Sequence, residues 1–174
     1  MTAPHDDEGR ATVIEDPDAS GVGDVAADPY DLERFVWAQD AGGTHDAALA
    51  ELRRGRKTSH WMWFVFPQLA GLGHSAMSRQ YAITSIDEAV AYLRHPVLGP
   101  RLRTAAATLT ALDARRADDV LGGVDAQKLH SAATLFHRAA PADPVFAAVL
   151  DRFFDGVPDA GTDRLLQRGR PDPP

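Results

Sequence analysis

Apolar residues recur every three or four positions along most of the chain, which is the spacing of amphipathic helices. The first run follows Asp28 and Pro29, which suit a helix cap and a first helical residue, and it stops before Gly42. Its inward face is predicted to contain Leu32, Phe35, Val36 and Gln39. A second run starts at Thr44 and stops at Gly55. The sequence therefore predicts two helices in this part of the chain.

The later helices carry clearer signals at their ends. Ser85 with Glu88 three residues further on is a capping box, and it opens a predicted helix over 85–95. Asp143 followed by Pro144 is a cap and first-residue pair, and it opens a predicted helix over 143–155. Between these two, the pattern predicts helices over 96–112, 117–121 and 125–139.

Strand signals are scarce, because no convincing alternation of apolar and polar residues extends over more than a few positions. No internal repeat is visible. The expected fold is all-α or mainly α, a compact single-domain bundle of about six or seven helices in which any sheet is minor. Its core is predicted to include Trp61, Phe64, Leu102, Leu135, Phe136 and Phe153.

The segment 59–68, SHWMWFVFPQ, differs from this ordinary pattern. It holds four of the chain's 13 aromatic residues, bracketed by Ser59 and His60 on one side and Gln68 on the other. Because the run is apolar at every position, both a buried strand and a buried helix fit it, and Ser59 as a cap with Pro67 as a stop favours the helix. The segment is either plain core or the wall of a pocket in which Trp61 and Trp63 lie beside a ligand.

Charge is distributed unevenly. The first 28 residues contain eight acidic residues and one Arg, so the formal charge of −7 of the whole chain belongs to this segment. Such a composition is typical of disorder. The sequence therefore predicts a disordered acidic leader over 1–28, a folded domain over 29–167 and a loose C-terminal tail over 168–174, where the prolines of RGRPDPP prevent a helix.

Composition excludes several classes of protein. The chain has no Cys, which removes disulfides and thiolate chemistry. The body is electrically neutral, which argues against a nucleic-acid-binding protein. The local basic cluster of Arg53, Arg54, Arg56 and Lys57 is predicted to be a solvated helix end. No apolar run approaches the roughly 20 residues of a membrane helix. The expected location is the cytoplasm, with no membrane contact.

Known catalytic and cofactor motifs are weak or missing. Gly71, Gly73 and Ala76 have the spacing of a dinucleotide-binding fingerprint, but no strand precedes them, so a glycine-rich turn near a ligand or an ordinary loop is preferred. The seven His residues form no metal-binding pair, and neither a P-loop nor a G-x-S-x-G elbow is present. We expect no cofactor and no metal.

A polar stripe marks the helix over 125–139. Asp125, Lys128, Ser131 and Thr134 recur every three residues, which keeps them on one face. They form either an ordinary exposed face with a cap at Asp125 or a binding surface. Small hydroxyl groups beside one ammonium suit phosphate or carboxylate oxygens.

Three stretches carry a family resemblance: RKTSHWMWFVFPQLAGLG, YAITSIDEAVAYLRHPVLGPRL and DAQKLHSAATLF. In this order they resemble the domain-of-unknown-function family DUF1810, over about Tyr30 to Leu166. The resemblance implies a mainly helical fold and no assigned chemistry. Some members carry a calpastatin label, which fits a disordered inhibitor and not this compact body. The family has Ser-Met where this chain has Ala132 and Ala133, so no second serine acts here.

The resemblance directs attention to residues that match its motifs, namely Lys57, Ser59, His60, Trp61, Trp63, Gln68, Tyr81, Lys128, Ser131 and Thr134. We expect a cleft between the aromatic segment and the Lys128 helix that binds an anionic small molecule such as a nucleotide or sugar phosphate. In any reaction there, His60 would transfer protons and Lys128 would stabilise negative charge. The alternative is a helical interaction module, or a homodimer, whose aromatic surface contacts another protein.

Overall fold

The computed structural model describes residues 28–169 of the chain, and this part is built from ten α-helices and one short 3-10 turn. Seven of the helices have eight or more residues, and α3, α4 and α7 have four or five. Their bounds are α1 Glu33–Asp40, α2 Thr44–Arg53, α3 Met62–Val65, α4 Ala76–Gln80, α5 Ile86–Arg94, α6 Leu98–Thr110, α7 Ala117–Leu121, α8 Gly123–Ala139, α9 Pro144–Phe154 and α10 Ala160–Arg168, with the 3-10 turn Ala41–Gly43 between α1 and α2.

Helix α8 is the centre of the fold. It packs against α5, α7, α9 and α10, and α6 closes the other side of the bundle against α2, α5 and α9. Every residue of α8 from Ser131 to Phe136 is buried, so this stretch contacts the protein on all sides. The core runs through α8 into the aromatic segment, where Trp61 and Phe66 are buried as well.

The all-α prediction is confirmed for the described residues. Their only β-pairing is an isolated bridge between Leu69 and Ile83, which rules out the parallel sheet that a dinucleotide-binding fingerprint at Gly71 and Gly73 would need. Of the predicted core residues, all but one are buried. Phe153 is only half-buried.

The helix ends show which sequence signals were reliable. The Ser85 side chain accepts a hydrogen bond of 3.1 Å from the Glu88 N–H, and Asp143 accepts one of 3.2 Å from the Val145 N–H, as their patterns predict. Asp28 also acts at a helix start, but its carboxylate accepts from the Glu33 N–H at 3.1 Å, so α1 begins later than predicted.

Two predicted caps are not formed. Helix α8 begins at Gly123, and its cap residue is Gly122, whose φ of 79° suits glycine. Asp125 therefore lies inside the first turn. In the aromatic segment, helix α3 is one turn long and its cap residue is Trp61, so Ser59 caps no helix. The Ser59 hydroxyl instead donates a hydrogen bond to Glu51.

The structure adds α4 and α10 to the predicted helices. Helix α10 extends to Arg168, one residue into the predicted tail. The leader over 1–28 and the tail over 168–174 lie, apart from Asp28, Arg168 and Gly169, outside the described residues. Within the described part, no helix combines the length and the apolar character required to cross a membrane.

Candidate functional site

A buried carboxylate organises the loop that leads into the aromatic segment. Glu51 of α2 accepts hydrogen bonds from the N–H groups of Thr58 (2.8 Å) and Ser59 (3.1 Å), from the Ser59 hydroxyl (2.7 Å) and from the Trp61 indole N–H (2.9 Å). Burial alone would raise the pKa of Glu51, but these donors lower it to about 2. The charged carboxylate therefore fixes this loop at neutral pH.

Lys57 lies at the start of the same loop and is itself buried. Its ammonium donates to the Ser59 carbonyl oxygen at 2.6 Å, lies 2.7 Å from Asp125 Oδ2 and is 5.0 Å from the centroid of the Trp61 ring. The Lys57 N–H also bonds the Val120 carbonyl oxygen at 2.8 Å. These contacts join the loop to helices α7 and α8.

Lys128 makes the same two kinds of contact, to Asp125 and to a tryptophan ring, and its side chain is nearer to the surface. Its ammonium bonds Asp125 Oδ1 at 2.8 Å and lies 4.6 Å from the centroid of the Trp63 ring. Burial raises the pKa of Asp125, but the hydrogen bonds from Lys128 and Lys57 outweigh that effect and hold it below its ordinary value. Each tryptophan thus has an ammonium over its ring, and one carboxylate joins the two cations.

A cleft of about 730 Å³ opens beside Lys128 and Trp63, between the first turns of α8, the turn that precedes α4, and the start of α10. Its walls contain four of the predicted site residues, Trp63, Gln68, Lys128 and Ser131. The remaining lining is mostly polar and includes His74, Ser75, Ser78, Gln127, His130, Asp159 and Arg164. The space matches a nucleotide-sized ligand.

Gly73 shapes one wall of this cleft. A Cβ atom at this position would come 2.4 Å from the Ser78 Cβ, so only glycine allows the turn to approach α4 this closely. The glycine-rich segment is therefore a turn that borders the cleft, and not part of a dinucleotide-binding unit.

Several predicted site residues lie away from the cleft. Lys57, Ser59 and Trp61 form the layer below it and have protein partners. Tyr81 packs against Phe35 and Phe64, at ring-centroid distances of 5.8 and 5.3 Å. The structure therefore gives these four residues supporting positions.

His60 is exposed and is not part of the cleft lining. Its ring centroid lies 6.3 Å from that of Trp63, the ring that Lys128 also approaches. His60 thus lies beside Trp63, outside the walls that surround Lys128. Of the two residues predicted to share one cleft, Lys128 is in its lining and His60 is not.

The two hydroxyl groups of the α8 stripe differ in position. Ser131 lines the cleft, and its hydroxyl donates to the Gln127 carbonyl oxygen at 3.1 Å. Thr134 is fully buried, donates to the His130 carbonyl oxygen at 2.9 Å and accepts from the Asp159 N–H at 2.8 Å. Thr134 therefore holds the connection from α9 to α10 and does not face a ligand.

Sequence reasoning missed the rest of the polar lining, which includes Asp159, Arg164 and His130. Asp159 caps α10 by accepting from the Thr162 N–H at 2.7 Å, and Arg164 of the same helix makes no ion pair within residues 28–169. His130 stacks on Phe154 with ring centroids 4.1 Å apart, and its Nε2 lies 2.7 Å from the Val157 carbonyl oxygen. Asp159 and Arg164 lie beyond the last predicted helix, where the pattern gave no signal.

The described part of the chain contains no cluster of three His, Asp or Glu residues that could hold a metal ion. The lining of the cleft combines ammonium, guanidinium, imidazole, hydroxyl, amide and carboxylate groups with an indole ring. Such a set binds anionic oxygens and planar groups without a metal.

A family model described as "Protein of unknown function (DUF1810)" matches residues 29–166. The chain belongs to the DUF1810 family. The match covers the predicted folded domain almost completely and confirms the resemblance found in the three sequence stretches. No curated protein matches the chain.

This DUF1810 chain is also similar to a solved structure, the crystal structure at 1.38 Å of the conserved hypothetical protein Rv1873 from Mycobacterium tuberculosis. The two sequences are 45% identical, and the match covers 80% of this chain and 99% of that one, with a TM-score of 0.78. The helical fold is thus shared with that protein. Neither the description of the DUF1810 family nor that of the Mycobacterium tuberculosis protein names a ligand or a reaction.

Proposed function

We propose that this protein binds an anionic small molecule, such as a nucleotide or a sugar phosphate, in the cleft between the first turns of α8 and the start of α10. The observation that carries the proposal is the position of Lys128, whose ammonium is mostly buried yet lines an open cleft of about 730 Å³. A cation held at such a place favours a negatively charged partner.

The charge of the lining supports an anion. Lys128 and Arg164 contribute two positive charges and Asp159 one negative charge. Asp125 is shared between Lys128 and Lys57, so Lys128 is only partly compensated. Since an ammonium has three donors, Lys128 retains hydrogen-bonding capacity for phosphate or carboxylate oxygens.

The remaining lining supports a ligand with sugar hydroxyls and a flat group. Gln68 and Gln127 offer amides, and Ser75 and Ser78 offer hydroxyls, which suit a ribose or hexose. Trp63 supplies aromatic area to the same wall. A ligand whose phosphate lies near Lys128 and whose sugar or base lies along Trp63 would contact each of these groups.

A thermal-shift screen tests this proposal. Wild-type protein is heated with AMP, ADP, ADP-ribose, ribose 5-phosphate and glucose 6-phosphate, and a ligand at about 100 times its Kd stabilises the fold by roughly 2.7 kcal/mol. Lys128→Ala should abolish the shift. Arg53→Ala removes the same charge from an exposed position on α2 and should leave the shift intact. A shift that survives in Lys128→Ala would place the binding elsewhere.

A catalytic use of this cleft would need a group for proton transfer. The sequence points to His60, but the imidazoles in the lining are those of His74 and His130. Of these two, His130 is held in place, because its Nε2 lies 2.7 Å from the Val157 carbonyl oxygen. We therefore place proton transfer at His130, with Lys128 stabilising negative charge. Turnover of a bound ligand that stops in His130→Asn and persists in His60→Asn supports this assignment, and the reverse result contradicts it.

An interaction module or homodimer is the second candidate. The aromatic segment does not supply the surface, because Trp61, Phe64 and Phe66 are buried. The observation in favour is the exposure of three other apolar side chains in the described residues: Trp37 on α1, Val124 at the cleft and Val157 beside His130, which are 70%, 72% and 59% exposed. Light scattering distinguishes a dimer from a monomer in solution. A dimer that Val124→Lys dissociates supports the module, and a concentration-independent monomer excludes the homodimer.

A further inference from the structure

One carboxylate in the site is divided between two ammonium groups. Asp125 Oδ2 lies 2.7 Å from Lys57 Nζ, and Asp125 Oδ1 lies 2.8 Å from Lys128 Nζ. The three side chains are only 16%, 8% and 17% exposed, in the order Asp125, Lys57 and Lys128. At such distances and in such partly buried positions, the charge of each group strongly affects the other two.

Only one of the two cations can meet a ligand. Lys128 lines the cleft and Lys57 does not. Lys57 is also held in place, because its ammonium bonds the Ser59 carbonyl oxygen at 2.6 Å and lies over the Trp61 ring. Glu51 in turn fixes Ser59 and Trp61 through hydrogen bonds, so Lys57 remains against Asp125.

The net charge at the cleft depends on the contact between Lys57 and Asp125. The two lysines and Asp125 together carry one net positive charge, and that charge is presented at the surface by Lys128. Without Lys57, Asp125 would compensate Lys128 completely, and the pair would be neutral. Lys57 therefore affects the cleft from a position where no ligand contacts it.

We infer that Lys57 is a positioning residue that sets the charge of the cleft, because by holding Asp125 it leaves Lys128 free to bind a phosphate group. The inference rests on the proposed function and adds to it the reason why Lys128 can recognise a phosphate ester, namely that its ammonium is incompletely paired. It also gives Lys57 an indirect role where the sequence predicted a direct contact.

Three variants test the inference through the Kd for ADP, measured by calorimetry at low salt. Lys57→Met makes the Asp125–Lys128 pair neutral, and it should weaken ADP binding by about tenfold, within the range of coupling in a charged network. Asp125→Asn removes the competing carboxylate and should tighten binding. The double variant restores one net positive charge and should return the Kd to near the wild-type value.

The direction of these changes separates charge from structure. If Lys57 and Asp125 only stabilised the fold locally, Asp125→Asn would weaken binding as well, and the double variant would be the weakest of the three. That order would overturn the inference. Circular dichroism confirms that each variant is folded before its Kd is compared.

Two further variants are matched controls. Lys57→Arg keeps the positive charge against Asp125 and should bind ADP as the wild type does. Arg56→Met removes a positive charge from the neighbouring residue, which is exposed and makes no ion pair within residues 28–169, and it should change the Kd less than twofold. An equal loss in Arg56→Met and Lys57→Met would show that only the overall charge matters.

A measurement without ligand separates this inference from the proposed function. Carbon-detected NMR follows the titration of the Asp125 carboxyl, whose pKa lies below its ordinary value in the wild type and should rise in Lys57→Met. An unchanged Asp125 titration in that variant contradicts the charge sharing. Failure of wild-type protein to bind ADP contradicts the nucleotide form of the proposed function and leaves the NMR result to decide the charge sharing.

Discussion

The indole N–H of Trp61 donates a hydrogen bond of 2.9 Å to the Glu51 carboxylate, and both side chains are buried. A tryptophan in a core usually needs a partner for its N–H, and here the partner is a charged group that also binds the loop before it. Because the Lys57 ammonium lies over the same ring, this hydrogen bond connects α2 with the layer of Lys57, Ser59 and Trp61 below the cleft.

Replacement of Glu51 should change how stability depends on pH. The ordinary pKa of 4.5 applies to the unfolded chain and a pKa of about 2 to the folded protein, so the folded state is stabilised above about pH 4.5 and loses this contribution as the pH falls toward 2. The contribution is about 3 kcal/mol at neutral pH. Glu51→Gln should remove it.

Urea unfolding at pH 7, 5, 4 and 3 measures this effect. Asp87→Asn is the control, because Asp87 is an exposed carboxyl in the first turn of α5. The wild type and Asp87→Asn should lose stability in parallel on acidification, and Glu51→Gln should show a flatter profile. Parallel profiles for all three proteins would contradict the role of Glu51.

Arg34 should not be replaceable by lysine. Its guanidinium connects the start of α1 with α5 and with the segment before α5. It forms an ion pair of 2.7 Å with Glu88 of α5. It also donates hydrogen bonds to the carbonyl oxygens of Tyr30, Asp31, Gln80 and Ala82. An ammonium has no planar fork and cannot reach all of these acceptors. We expect Arg34→Lys to lower the free energy of unfolding by about 2 kcal/mol.

Denaturant titration checks this expectation, with Arg94→Lys as the matched change. Arg94 is exposed in the last turn of α5 and makes no ion pair in the described part of the chain. Its replacement should have almost no effect. A loss in Arg34→Lys no larger than that in Arg94→Lys would show that the carbonyl contacts add little.

Thr134 and Ser131 form a natural comparison, since both donate to a carbonyl oxygen one turn earlier on α8. Only Thr134 also accepts a bond, from the Asp159 N–H. Thr134→Val leaves that N–H without its acceptor and should lower the free energy of unfolding by about 1.5 kcal/mol, against about 0.5 kcal/mol for Ser131→Ala. Equal losses in the two variants would mean that the bond to Asp159 contributes little.

The ion pair between Arg138 and Asp163 should contribute modestly to stability. Arg138 donates to both carboxylate oxygens, each at 2.9 Å, and this hydrogen bonding holds the pKa of Asp163 below its ordinary value. Both side chains are partly exposed, so Arg138→Ala should lower the free energy of unfolding by less than about 1 kcal/mol. The difference from wild type should shrink in about 0.5 M NaCl, and a difference that persists there would point to packing instead.

Local signals gave most of the fold correctly. Ser85 and Asp143 mark helix starts because their side chains bond N–H groups two or three residues away, an interaction that sequence spacing alone determines. Helix α10 was missed because most of its residues are polar and Thr162 is its only buried residue, so few apolar positions mark it in the sequence. Helix α4 was missed for the same reason, since none of its residues is buried.

The candidate site was predictable only in part. Trp63, Gln68, Lys128 and Ser131 were found because their residue types are unusual for their local pattern. Glu51 gave no such signal, since a glutamate near the end of a helix is normally exposed and its four donors come from a loop that only the tertiary fold brings near. The contact between Lys57 and Asp125 likewise joins distant parts of the chain.

The weak anchoring of α10 has a consequence for how the cleft opens. This helix forms one wall, yet only Thr162 of its residues is fully buried. It is held by the half-buried Leu165 and Leu166, by the Thr134–Asp159 bond and by the Arg138–Asp163 pair. Segments with so little buried surface detach at a smaller free energy than the core does. The backbone amides of α10 should therefore exchange with deuterium sooner than those of α8, and a ligand bridging the two helices should slow exchange in α10 selectively.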